Sequence, residues 1–238
     1  MDGADGVYAR GHAVSGQMLA GRLYYRMQSV HAGRDVAMSC QSSQSTVPDR
    51  RLVVRLQDCV PGEQGPLEAA ELAQIVSKAV VALETYFPHA TTSEVEFVAV
   101  PFGTRFYSSK RYWRHPRDLG LRISFWYAGE SDALRQAVRS FAHEFTHLAR
   151  RAARISLPYE QSEYMASTAE DCVELAVFGD LEGGDEEGAD RVLSERVQAK
   201  SLSRTVGASQ SAANKTRDIL ETAGTEGVAR HCQQVLSL

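Results

Sequence analysis

Leu134-Arg135-Gln136-Ala137-Val138-Arg139-Ser140-Phe141-Ala142-His143-Glu144-Phe145-Thr146-His147-Leu148-Ala149-Arg150-Arg151-Ala152 is the stretch around which the rest of the chain is read. Leu134, Val138, Phe141, Phe145, Leu148 and Ala152 recur at i, i+4 and i+7, which is one apolar stripe of an α-helix. Ser131 or Asp132 is placed to cap its start. Arg150, Arg151 and Arg154 stand at the far end, where cations suit the helix dipole. Inside this helix lies His143-Glu144-Phe145-Thr146-His147, an H-E-x-x-H pattern. Histidines at i and i+4 project one above the other, so both imidazoles reach one metal ion with bonds of about 2.0–2.1 Å. At 100° per residue they point roughly 200–240° away from Phe141. The helix therefore packs on one side and presents ligands on the other.

A catalytic zinc keeps three protein ligands and one open position, so a third ligand is needed. Ser156-Leu157-Pro158 breaks the chain, and a second helix is expected from Tyr159 to Phe178. That helix offers Glu160, Glu163, Glu170, Asp171 and Glu174. Glu163 and Glu170 share a face, and periodicity alone does not choose between them. Glu144 sits beside the first ligand and has a different expected role. It polarises the attacking water, takes its proton and passes it to the leaving amine.

Residues 134–178 resemble the zincin metallopeptidases of the gluzincin type. In that family H-E-x-x-H is followed by a second helix with a glutamate ligand, often in a context like L-P-x-W-L-x-E-G-x-A-S. This chain has Leu157-Pro158-Tyr159-Glu160-Gln161-Ser162-Glu163-Tyr164-Met165-Ala166-Ser167. The resemblance implies a zinc held by His143, His147 and Glu163, with Glu144 as general base. Tyr164 replaces the family's Gly, and the gap between His147 and Glu163 is shorter than usual, which keeps Glu170 as the alternative ligand. An aspartate-ligand zincin is a weaker resemblance, because its G-T-x-x-D-x-x-Y-G signature is absent. With Glu163 on the metal, Glu170 or Asp171 is expected to orient a ligand histidine, with Ser167 or Thr168 as substitutes. Tyr159, Tyr164 and His231 are the candidates for stabilising the oxyanion.

Upstream, Leu72, Ile75, Ala79, Leu83 and Phe87 predict a helix between Leu67 and Phe87 that stops before Pro88. Arg51–Leu56, Val95–Val100, Arg105–Tyr107 and Leu121–Tyr127 read as strands. Ser39–Thr46 (SCQSSQST) reads as a loop, Lys110–Arg117 (KRYWRHPR) as a polar hairpin loop, and Asp180–Asp190 as an acidic, Gly-rich linker. Helices over Arg191–Leu202, Ala208–Ala223 and Glu226–Leu236 close the chain. The order predicts an α+β, zincin-like fold, with a small mixed sheet packed on the H-E-x-x-H helix and a helical C-terminal part. Residues 1–60 are expected to be an N-terminal extension or subdomain, and 61–238 the metallopeptidase-like domain.

The chain has 238 residues with 43% hydrophobic and 24% charged side chains, the balance of a protein with a real core. A net charge of −4 argues against nucleic acid as the main partner. No apolar run approaches the roughly 18–20 residues of a membrane span. Met1–Gly6 has neither a basic nor an apolar leader region, so no signal peptide is expected in this chain. The four cysteines lack C-x-x-C spacing and suit either free thiols or two disulfides, for example Cys40–Cys59 and Cys172–Cys232. The expected activity is zinc-dependent hydrolysis of a peptide or protein substrate. Its rivals are a non-catalytic, zinc-stapled protein-binding domain and a secreted effector or toxin protease with one narrow target. Compartment and oligomeric state are not legible.

Overall fold

Val54, Leu56, Val95, Phe97, Leu121, Ile123 and Phe125 alternate with Arg55, Glu96, Arg122 and Ser124, and this period of two builds the sheet. The computed structural model describes residues 6–9, 12–19, 22–28, 35–47, 50, 52–59, 68–101, 109–112, 119–127, 130–181 and 202–237. Among them are eight strands: β1 (Gly6–Ala9), β2 (His12–Leu19), β3 (Arg22–Gln28), β4 (Asp35–Thr46), β5 (Val53–Asp58), β6 (Glu94–Pro101), β7 (Ser109–Tyr112) and β8 (Leu119–Tyr127). The described helices are α1 (Ala69–Glu84), α2 (Glu130–Ala152), α3 (Tyr159–Phe178) and α4 (Leu202–Leu236). The protein is α+β. It divides into two compact units, residues 1–77 with 91–140 and residues 78–90 with 141–238. The division expected near residue 60 falls inside the first unit.

In the first unit the strand order is β1-β2-β3-β4-β5-β6-β8-β7. Strands β5, β6 and β8 run parallel, and β7 closes one edge antiparallel to β8. Register places Val54, Val95 and Leu121 in one row and Leu56, Phe97 and Ile123 in the next. All six are buried, and Phe97 meets Phe125 edge-on with ring centroids 6.2 Å apart. The alternate positions carry charge: Arg55 Nε lies 2.7 Å from Glu94, and Arg122 Nε 3.3 Å from Glu96.

The sheet is larger than the small one expected, because the chain before residue 50 adds strands. Ser39–Thr46, expected as a loop, belongs to β4 and pairs residue for residue with β5 from Gln41↔Asp58 to Thr46↔Val53. Gln41–Gln44 are exposed, so this half of the strand has no apolar alternation to betray it. Backbone pairing, with β3 over Asp35–Cys40 and with β5 over Gln41–Thr46, and the Cys40–Cys59 disulfide hold it instead. Arg105–Tyr107, Trp113–Arg117, residues 182–190 of the acidic stretch and Arg191–Ser201 lie outside the described residues.

The second unit is helical. Phe141 and Phe145 of α2 stack at 5.6 Å, and Phe87 lies 6.4 Å from Phe145. The helix begins at Glu130, so Ser131 and Asp132 fall within its first turn and not at the cap. The other end closes with Arg154 at φ 58°, Arg154 N–H bonding Arg151 O and Ile155 N–H bonding Arg150 O. This pair of bonds is the usual helix stop, with an arginine in the left-handed position that glycine favours. Pro158 then starts α3, which has the expected limits Tyr159–Phe178. Helix α4 contains the two expected terminal helices, interrupted at Gly224 (φ 63°, ψ −167°). The interruption folds the limbs alongside each other: Ser211 and Val235 line the same cavity, and the Lys215 charge acts on His231. Ser167 of α3 hydrogen-bonds Ser209 of α4 at 2.8 Å, and a Cys172–Cys232 disulfide joins α3 to the second limb.

Candidate metal centre

The site lies wholly in the second unit, between the C-terminal half of α2 and α3. His143 and His147 stand one turn apart on α2 with ring centroids 4.8 Å apart and planes at 78°. Their Nε2 atoms are 3.2 Å from each other. Glu163 of α3 completes the group: its carboxylate oxygens lie 3.4 Å from His143 Nε2 and 3.3 Å from His147 Nε2. These three side chains form a group close enough to hold a metal ion. A tetrahedral ion with bonds of about 2.0–2.1 Å separates its ligand atoms by about 3.3 Å, so the donors already have suitable spacing.

The outer ring nitrogens are also engaged. His143 Nδ1 lies 2.6 Å from Glu170 Oε1, and His147 Nδ1 lies 3.1 Å from Ser162 Oγ. A carboxylate accepts the hydrogen bond of an Nδ1–H, so in the neutral ring the contact with Glu170 leaves the lone pair on His143 Nε2, which faces the group. Glu170 thus stands behind a histidine, while Glu163 stands in the group. Asp171 and Glu174 are buried on α3 but are not in the group of three, and Glu160 is exposed. Ser167 bonds Ser209, and the Thr168 hydroxyl donates to Tyr164 O. The expected substitutes for histidine orientation are thus committed elsewhere.

Ser162 escaped the sequence reading. The residue before a candidate ligand gains meaning only when the rotation of α3 is known. Ser162 is buried, and its hydroxyl faces His147.

Electrostatics favours positive charge at this point. Burial by itself lowers the His143 pKa, but hydrogen bonds to Glu163 and Glu170 and the charges of Glu170 and Glu144 outweigh it and raise the value to about 10. Burial pushes the Glu163 carboxyl up, and hydrogen bonds and charge from both histidines reverse this and hold it at about 2. A proton on His143 offsets the two carboxylates, and a divalent cation fits the same electrostatic need. Glu144 is half-buried on α2, and its charge acts on His143.

The structure spreads the three oxyanion candidates over separate places. Tyr159 is 54% exposed at the start of α3. Tyr164 lines a cavity of about 590 Å³ between α3 and α4, and burial raises its pKa. His231 lies on the second limb of α4, its pKa lowered by burial and by Lys215. No helix among the described residues is long and apolar enough to cross a membrane.

In comparisons with known proteins, no protein-family model matches this chain, and no curated protein gives a significant match.

Proposed function

We propose that this protein is a zinc-dependent peptidase of the gluzincin-like kind, with His143, His147 and Glu163 as metal ligands and Glu144 as general base. The observation that carries this reading is the approach of two Nε2 atoms and one carboxylate within 3.2–3.4 Å of one another on two facing helices. Two imidazoles and a carboxylate make a donor set that suits zinc. Bound there, zinc would supply Lewis acidity to the water and the scissile carbonyl.

The chain's own residues do the rest. Glu144 accepts a proton from the attacking water as its oxygen adds to the carbonyl carbon, then delivers that proton to the departing nitrogen as the C–N bond breaks. Glu170 and Ser162 hold the two imidazoles from behind and keep their inward nitrogens in register with Glu163. Glu144 also separates this reading from a structural zinc staple, since a staple needs no proton acceptor beside its first ligand.

The test is zinc content by elemental analysis together with cleavage of a peptide library. It is run on the wild type, Glu163→Ala and Glu144→Gln. The expected result is one zinc per chain in the wild type, weakened binding in Glu163→Ala, and retained zinc without cleavage in Glu144→Gln. Zinc without cleavage of any peptide in the wild type would favour the staple. Absence of zinc binding after reconstitution would end the proposal.

A further inference from the structure

Arg150 reads from the sequence as a cation suited to the end of α2, and the structure gives it a second property. At 100° per residue Arg150 falls about 20° from His143 and about 60° from His147, so the three form one row of the helix at i, i+4 and i+7. It lies one turn beyond His147, close to where α2 ends and the chain turns toward α3. Its backbone is spent on the helix stop, with Arg150 O accepting from Ile155 N–H. Its guanidinium is not: Arg150 Nε is shut away from solvent and has no hydrogen-bond partner among the described residues. A buried guanidinium N–H left without an acceptor is costly, and side chains kept in that state call for an explanation. The residue as a whole is part-exposed and its two terminal guanidinium nitrogens are not among the buried unpartnered atoms, so those are the donors an acceptor from outside would meet first.

We infer that Arg150 is a specificity-determining residue that takes a carboxylate of the substrate beside the metal group. A planar guanidinium with several fixed donors matches a carboxylate in two parallel hydrogen bonds, which a neutral amide does not reproduce. Exposed Arg151 and Arg154 on the same turn add positive potential around it. The carboxylate belongs either to a Glu or Asp side chain or to the free C-terminus of a peptide. This inference rests on the peptidase reading for its substrate, and on Arg150 alone for its anion.

The experiment uses the full chain and three matched sets of labelled peptides: neutral and amidated, amidated with one Glu at each position in turn, and neutral with a free C-terminus. Arg150→Ala and Arg150→Lys are compared with the wild type, with circular dichroism to verify folding. Cleavage is read as KM and kcat separately. Binding without turnover is read by fluorescence anisotropy in a Glu144→Gln background. Arg150→Ala should raise KM and weaken binding for one of the two carboxylate sets by about tenfold to a hundredfold. It should leave the neutral amidated set and kcat within about twofold, and Arg150→Lys should restore part of the loss. The set that responds identifies the source of the carboxylate. Equal losses on neutral and carboxylate peptides would overturn the inference in favour of a structural role, as would no change on any set. Arg150-dependent binding of a carboxylate peptide that the wild type does not cleave would support the anion site and count against the peptidase.

Discussion

Helices α2 and α3 contribute to the same candidate metal-holding group, yet they treat polar residues in opposite ways. From Ala133 onward α2 buries apolar residues, Leu134, Val138, Phe141, Phe145 and Leu148 among them, with Thr146 and His147 as the polar residues that join them. It is an ordinary amphipathic helix interrupted by the pair His143 and His147. Helix α3 buries Ser162, Glu163, Ser167, Thr168, Asp171 and Glu174 alongside Met165, Ala166, Ala169 and Val173. Burying carboxylates is costly unless they are paired, and buried Glu163 and half-buried Glu170 are both paired with histidines. One helix positions the site by its apolar face, and the other is held in place around its own polar residues.

The comparison breaks first at Glu163. Glu163→Ala removes one of three donors and should weaken metal affinity on the order of a thousandfold, measured by competition with a chelator. Unchanged affinity would move the ligand role elsewhere on α3. Glu144 lies on the amphipathic helix outside the group of three, and the proposed peptidase uses it as a base and not as a ligand. Glu144→Gln should keep the metal content and lower kcat by about a hundredfold to ten-thousandfold, and a parallel loss of metal would reassign it as a structural residue.

Breaking the covalent tie of α3 tests how far its polar interior depends on outside support. The Cys172–Cys232 bond closes a loop of 60 residues, so Cys172→Ser with Cys232→Ser should cost about 2–4 kcal/mol of unfolding free energy, read by denaturant titration. A loss below the resolution of the titration would show that α3 packs onto α4 unaided. Glu170→Gln sharpens the contrast between ligand and support. It should weaken metal binding about tenfold to a hundredfold, less than Glu163→Ala. If the two variants rank the other way round, Glu170 is the ligand.

The smallest effect lies in the turn between the two helices. Arg154 holds φ 58°, which glycine adopts without strain. Arg154→Gly should stabilise the protein by about 0.5–1 kcal/mol in thermal or denaturant unfolding. A destabilisation would show that the Arg154 side chain contributes more than its backbone costs.

Much of this was legible before the fold. The limits of α3, the strands β5, β6 and β8, and the two limbs of α4 follow from apolar periods of 3.6 and 2, bounded by Pro88, Pro158 and Gly224. Strand β4 was not legible. Its Gln41–Gln44 side chains are exposed, and backbone partners in other strands and the Cys40–Cys59 bond hold it. Periodicity reports which side chains meet a core, and the stretch from Gln41 to Gln44 puts none there.

The sequence by itself determined that two histidines share one helix face with a glutamate between them, because a covalent spacing of four residues becomes one helical turn wherever the helix goes. It also narrowed the third partner to a few acidic residues on the next helix. The tertiary structure decided which of them faces which ring nitrogen. Glu163 meets both inward nitrogens, Glu170 meets the outer nitrogen of His143, and Ser162 meets that of His147. Glu163 and Glu170 lie on the same face of α3, so their periodicity is identical. Their heights along α3 separate them, about 10 Å apart at 1.5 Å per residue. Which one stands level with the inward nitrogens is set by how α3 returns alongside α2, a matter of packing and not of sequence period.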